Sequence, residues 1–197
     1  MTSWQSSSRF IGIVLAVTSV IGLLASFTLL RDTLEVARDP SFNPSCNINP
    51  ILSCQSVMSS SQAEILGIPN PAFGIAAFTA LFVFAVLVLA RTSFALWIWK
   101  VGVAAATAGL LFTLYLYLTS IIVLGTICPW CFVTWLVTVA IFWSLITYTL
   151  AVKIIVLPKK LLFLSRVWVR YASLILASWY VALVFILLLR FREALFG

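Results

Sequence analysis

Four cysteines are the strongest nucleophiles in this chain, and there is no histidine. Cys128-Pro129-Trp130-Cys131 is a Cys-x-x-Cys with a proline inside, the spacing of dithiol oxidoreductases. It stands where an apolar run begins and so opens a helix. The helix macrodipole and free amides at such a start favour thiolate over thiol. Pro129 suits the first turn, where its missing N–H is not needed. Cys46 and Cys54 have seven residues between them, in a segment from Pro40 to Gln62 rich in Ser, Asn and Pro. Without histidine there is no Ser-His triad, no imidazole base and no His-ligated metal or haem. Four thiolates can hold zinc, although the unequal spacing argues against it. Two quiet structural disulfides are the bland reading. A relay is the sharper one: a mobile loop pair meets a soluble partner, then swings to a fixed pair, since exchange requires a thiolate to reach a sulfur.

The elements that must position these sulfurs are membrane spans. The chain has 197 residues, 63% apolar and 9% charged, with a mean hydropathy of +1.19. Soluble domains have about 45–50% apolar and 25% charged residues, which excludes that class. A spanning helix needs about 20 mostly apolar residues. Five stretches qualify, at about 10–30, 71–90, 96–124, 128–151 and 167–189, with a loop at 31–69 and one integral membrane domain over 1–197. The first run is longer than a signal-peptide core, which favours an uncleaved span over a cleaved leader. The connector Gly125 to Ile127 is short, so spans three and four end close together.

Loops one and three of a five-span protein share a side, so all four cysteines share a side. With the N-terminus cytoplasmic, the inside holds Arg9, Arg91, Lys100, Lys153, Lys159, Lys160, Arg166 and Arg170, and no acids. The outside holds Arg31, Arg38, Arg190 and Arg192 with every acid: Asp32, Glu35, Asp39, Glu64 and Glu193. That is a positive-inside bias. It places the cysteines on the extracytoplasmic side of a cell inner or plasma membrane, where disulfides persist. The net charge of +7 is then a topology and lipid-headgroup signal, not a nucleic-acid one.

No Asp or Glu occurs from Ile65 to Arg192. Intramembrane carboxylates mark ion and proton pathways, so an ion-coupled transporter is disfavoured. Protons for a reduced acceptor are then expected from thiols or water. Electrons leaving Cys128/Cys131 need an acceptor at membrane depth, and a lipid-soluble quinone between helices suits the composition. Asn70, Phe73, Tyr115, Tyr117, Trp130 and Trp135 are candidates to line its pocket. Each aromatic has a plain alternative as packing or interfacial belt, the preferred reading for Trp97, Trp99, Trp168 and Trp179.

These residues resemble the vitamin K epoxide reductase family, its bacterial branch in particular. The matching pieces are Pro44-Ser45-Cys46-Asn47, Leu52-Ser53-Cys54, Ser59-Ser60, Gly67-Ile68-Pro69-Asn70-Pro71 with Phe73-Gly74, and Cys128-Pro129-Trp130-Cys131. The resemblance spans about residues 10–150. DsbB-type quinone enzymes carry the Cys-x-x-Cys in the first external loop, whereas here the spread pair comes first.

The resemblance implies an all-α membrane protein, a four-helix transmembrane bundle around a quinone plus a fifth transmembrane helix. It implies a cysteine loop folded over the outer mouth. Carried across, Cys131 faces the quinone and Cys128 exchanges with the loop. Ser60 matches a family serine, and Asn70 an asparagine that hydrogen-bonds a quinone carbonyl. Trp135 stands where vertebrate members have tyrosine, so a hydroxyl contact is lost there. Many bacterial relatives carry a fused thioredoxin-like domain after the fifth span. The sequence stops at Gly197, so the expected partner is a separate DsbA-like protein. The implied activity is reoxidation of that partner through Cys46/Cys54 and Cys128/Cys131, with electrons passing to menaquinone or ubiquinone. Reduction of vitamin K epoxide, and a non-catalytic protein with two structural bridges, are the alternatives.

Overall fold

A computed structural model describes residues 7–39, 41–44, 46–48, 51–65, 67–156 and 158–192. Pro40, Ser45, Glu193, Gly197 and the Lys159 side chain, used in the sequence reading, lie outside the described residues. Five helices are long and apolar enough to cross a membrane. They are α1 (Ser8–Arg38), α3 (Asn70–Leu89), α4 (Leu96–Thr119, prolonged by a π-helical turn Ser120–Leu124), α5 (Pro129–Ala151) and α6 (Leu162–Arg190). A short α2 (Cys54–Met58) lies in the first loop, and a two-stranded pair, Glu64–Ile65 with Ile68–Pro69, leads into α3. The chain is a multi-pass, all-α membrane protein.

Local chemistry sets most boundaries. Ser7 caps α1 by accepting the Phe10 amide at 3.4 Å. At about 1.5 Å per residue, 31 residues outrun a hydrocarbon core of about 30 Å, so the last turns of α1 stand above it. Just after α1, Asp39 accepts both the amide and hydroxyl of Ser41, which hold its carboxyl below the usual range. Pro69 and Pro71 flank the start of α3. Gly125 closes the π turn with φ of +64°, a conformation that suits glycine. Near its start α6 kinks at Tyr171, where φ is −110° and ψ 18°.

Helix α1 packs on α3 and α5, α4 on α5, and α6 on α5. Glycines bring α1 and α3 close: a Cβ on Gly22 would lie 2.5 Å from the Phe78 ring, and one on Gly74 would lie 2.5 Å from Ser26 Oγ. Small residues at helix contacts are how lipid-embedded helices gain van der Waals contact. At one end the core is aromatic. Trp99, 7% exposed, packs among Phe84, Phe94 and Tyr148. At the other end Leu29, Cys46, Cys54 and Cys128 form a separate buried cluster.

Candidate functional site

The first loop is folded onto the bundle by a dense set of polar contacts. Asn47 is its hub. Its Oδ1 accepts from Ser53 Oγ at 3.2 Å and from the Gln55 amide at 3.1 Å. Its Nδ2 donates to Asn43 Oδ1 at 2.7 Å and to Gln55 Oε1 at 3.1 Å. Leu52 forms a parallel bridge with Ile127, in the connector between α4 and α5. Ile127 N donates to Ile51 O at 2.7 Å, and Ser53 N to Ile127 O at 3.1 Å. Thr126 Oγ1 also donates to Ile51 O, at 2.9 Å. Ser53 then caps α2, accepting the Ser56 amide at 3.3 Å. Cys54 is the first residue of α2, so the bridge delivers its sulfur to the start of α5.

Cys46 and Cys54 are joined as a disulfide, while Cys128 and Cys131 are free. Cys54 Sγ lies 3.0 Å from Cys128 Sγ. The sulfurs of Cys46, Cys54 and Cys128 all fall within 4.8 Å of one another. With two of the three bonded together, this is a disulfide facing a thiol. Cys54 and Cys128 are fully buried and Cys46 is 5% exposed. The sequence reading expects a mobile loop pair. The structure instead packs that pair under the loop, because the Asn47 contacts and the Ile127 bridge satisfy backbone that would otherwise need water. Cys128 is the N-cap of α5, and its sulfur accepts the Cys131 amide at 3.5 Å. A donor aimed at sulfur from a helix start favours the anion.

Cys131, one turn further on, lines a cavity of about 690 Å³ between α1, α3, α4 and α5. That volume is typical of a site for a drug-sized molecule. Gly102, Ala105, Ala106 and Gly109 form a stripe of small side chains on α4 that leaves room for it. Polar groups are few. Asn70 donates Nδ2 to Gln62 O at 2.7 Å, and its buried Oδ1 has no partner among the described residues. Ser60 lines the same wall, with its hydroxyl donated to Val57 O at 2.7 Å. A flat apolar ring carrying an oxygen fits this lining: apolar walls, one unpaired acceptor and one sulfur.

Of the residues expected at the pocket, Ser60, Asn70, Phe73 and Trp135 line it together with Cys131. Tyr115 and Trp130 do not. Tyr115 is 55% exposed on the outer side of α4, and Trp130 packs instead against the buried cysteine cluster. Tyr117 also stands outside the lining. It lies behind Trp135, ring centroids 5.2 Å apart and edge-on, and donates its hydroxyl to Leu183 O at 2.8 Å. Trp99 and Trp168 are packing residues, as expected, and Trp97 is 64% exposed.

Sequence reasoning missed three features. The small-residue stripe of α4 was legible as a three- and four-residue spacing over 102–109. Gln62 contributes through its backbone, which carries no sequence signal. Asp32 was placed in the external loop, and no carboxylate was expected near the sulfurs. The structure puts it inside α1 at 6% exposure, with Oδ2 unpartnered among the described residues. Leu29, one turn earlier, packs in the cysteine cluster, so Asp32 shares that face.

A helical membrane bundle with a disulfide, a facing thiol and an apolar cavity behind it is the architecture of a membrane thiol–disulfide oxidoreductase. The vitamin K epoxide reductase family matches residues 13–146, about two thirds of the chain, and the protein belongs to that family. Membership makes it an oxidoreductase acting on quinone or thiol substrates, and the family is quinone-associated. Comparison with curated proteins returns no match. Helix α6 lies beyond the matched residues.

Proposed function

We propose that the protein reoxidises a separate extracytoplasmic DsbA-like dithiol protein and passes the electrons to membrane quinone, supporting disulfide formation in exported proteins. The observation that carries this reading is the placement of Cys54 Sγ 3.0 Å from Cys128 Sγ while Cys131 borders the cavity. Cys54, Cys128 and Cys131 together connect the loop disulfide to an apolar pocket. The positive-inside charge pattern supports a cytoplasmic N-terminus and an extracytoplasmic sulfur end.

The exchange steps balance as follows. A partner thiolate attacks Cys46, the Cys46–Cys54 bond breaks, and Cys54 leaves as thiolate. The second partner thiol resolves the mixed disulfide and frees an oxidised partner and reduced Cys46. Cys54 thiolate then attacks Cys128 of a Cys128–Cys131 disulfide, and Cys131 leaves as thiolate beside the cavity. Cys46 thiolate attacks Cys54, the loop bond re-forms, and Cys128 is released. Two electrons and two protons have moved from partner to the Cys128/Cys131 pair. The arrangement present here, loop oxidised and Cys128/Cys131 reduced, is the end of that sequence. Because Cys54 is the sulfur against Cys128, Cys46 is the one assigned to the partner. At 5% exposure it requires the loop to lift first.

A quinone in the cavity supplies a two-electron acceptor. Cys131 would face it, Trp135 and Phe73 would bracket the ring, and Asn70 would hold one oxygen. Asn70 Nδ2 gives one of its two hydrogens to Gln62 O, so the amide keeps a second donor for a ring carbonyl and an unpaired oxygen for a ring hydroxyl.

The test is dithiol-dependent quinone reduction by purified protein. Cys131→Ser is expected to abolish it, and Cys128→Ala to stop the relay with Cys46 and Cys54 reduced. Normal turnover by Cys131→Ser would refute the assignment. Assaying a quinone epoxide in parallel distinguishes the alternative substrate, and mass spectrometry of the co-purified lipid separates menaquinone from ubiquinone.

A further inference from the structure

Helix α6 lies outside the family match, yet it is fastened to the catalytic bundle by directed hydrogen bonds as well as by apolar contact. Five of these join α6 to α5 or to α4 and its π turn, and two reach towards the site. Tyr117 Oη donates to Leu183 O at 2.8 Å, and Arg190 Nε donates to Ile121 O at 3.3 Å. We propose that α6 positions both ends of the relay, with Tyr117 and Arg190 as positioning residues: Tyr117 for the cavity wall and Arg190 for the sulfur exchange. The proposal rests on the relay reading above.

The Tyr117 arm is short. Tyr117 is 2% exposed, and its ring meets the Trp135 ring edge-on with centroids 5.2 Å apart. Trp135 lines the cavity beside Cys131. A buried phenol in an apolar medium needs an acceptor, and α5, which carries Trp135, gives it none in this arrangement. The Leu183 carbonyl of α6 supplies it. The hydroxyl thus fixes the Tyr117 ring, and the ring fixes the indole face that a cavity ligand would meet.

The Arg190 arm is longer and each link is a hydrogen bond. Ile121 lies in the π turn Ser120–Leu124, where the regular helical ladder is interrupted and carbonyls look for donors. Arg190 supplies one. Ser120, at the start of that turn, donates its hydroxyl to Thr126 O. Thr126 Oγ1 donates to Ile51 O, and Ile127 completes the bridge to the loop. Ser53, paired to Ile127, caps the helix that begins with Cys54. Arg190 therefore holds the turn from which the connector and the Cys54 register are hung.

The two arms make different kinetic predictions for the full-length protein in lipid nanodiscs. Losing one hydrogen bond of this kind changes an equilibrium by about three- to tenfold. Tyr117→Phe, which keeps the ring and deletes the hydroxyl, is expected to raise KM for a short-tail quinone by that factor, with kcat and sulfur exchange unchanged. Arg190→Met, which keeps the stem and deletes the donor, is expected to slow formation of the Cys54–Cys128 disulfide by about threefold in a Cys46→Ser/Cys131→Ser background, with added diamide as the two-electron oxidant. Its quinone KM, read in an otherwise wild-type chain, should not move. If either variant leaves its own readout at the wild-type value, the proposal is overturned. If both variants depress every parameter together with the thermal midpoint, α6 only supports folding, and the proposal is likewise overturned. Absence of quinone reduction by the wild-type protein would instead refute the relay reading.

Discussion

The two cysteine pairs reach the same site by opposite means. Cys128 and Cys131 are placed locally. A helix start sets their spacing, caps Cys128 with the Cys131 amide and turns Cys131 one turn onward into the cavity wall. Cys46 and Cys54 are placed from a distance. Their sulfurs depend on Asn47, on the bridge between Leu52 and Ile127, and on the cap from Ser53, all in irregular chain. A locally built pair is rigid and suits a fixed station beside a cofactor. A pair held by a few side-chain contacts can be released by breaking them, which suits a station that must first bury Cys46 and then show it.

The sharpest way to separate the pairs is Cys54→Ser. It removes the sulfur that meets Cys128, so turnover with a protein dithiol should fall to background. A small dithiol able to reach Cys128/Cys131 directly should still support quinone reduction. Equal loss with both donors would mean that the loop pair is structural and not a relay station.

Asn47→Ala comes next. It deletes the hub of the loop, four hydrogen bonds in all. Each is worth about 1 kcal/mol net and they overlap, so a slowing of Cys54–Cys128 exchange by roughly ten- to a hundredfold is expected. Alkylation of Cys131 in the reduced protein should be unchanged, because its position is local. A parallel change in Cys131 reactivity would break the distinction between the pairs.

A smaller effect is expected from Ser53→Ala, which removes the cap of a five-residue helix. Cap loss costs about 1 kcal/mol, about a fivefold shift towards an open loop, readable as faster trapping of Cys46 by an alkylating agent after mild reduction.

Asp32→Asn is the finest probe. Asp32 is buried on the α1 face that Leu29 turns to the cysteine cluster, where a negative charge would oppose a thiolate. Its removal should raise the alkylation rate of Cys128 at neutral pH by a few-fold, with no effect on Cys46, if the carboxylate is charged. An unchanged rate would show that Asp32 is held neutral and leaves the sulfurs alone.

Much of this architecture could be read along the chain. The five spans fall within a few residues of the observed helices at most ends, because about 20 apolar residues have no other stable arrangement in lipid. The ends that shifted have visible causes. Helix α1 runs on to Arg38 since Arg31 through Arg38 still forms helix above the hydrocarbon, and α6 begins at Leu162 since the 3-10 turn Lys159–Leu161 leads directly into it. The Cys-x-x-Cys at a helix start needed only Pro129 and the apolar run after it. Residues expected at the cavity were harder. Tyr115 and Tyr117 are two positions apart on α4, about 200° around the helix, and neither periodicity nor composition says which faces inward.

What the sequence determined alone was therefore the set of one-dimensional properties: spans, the charge bias between their ends, the shared side of the four sulfurs and the helix start at Cys128. Each follows from local solvation or local hydrogen bonding. Tertiary structure decided which loop cysteine meets Cys128, that Asp32 is buried, that Tyr117 stands behind Trp135 rather than in the cavity, and that Asn70 lines the cavity with its oxygen unpaired among the described residues. Those outcomes depend on contacts between residues far apart in sequence, such as Ile51 with Thr126, 75 positions away. Only the packed bundle brings such pairs within hydrogen-bond reach.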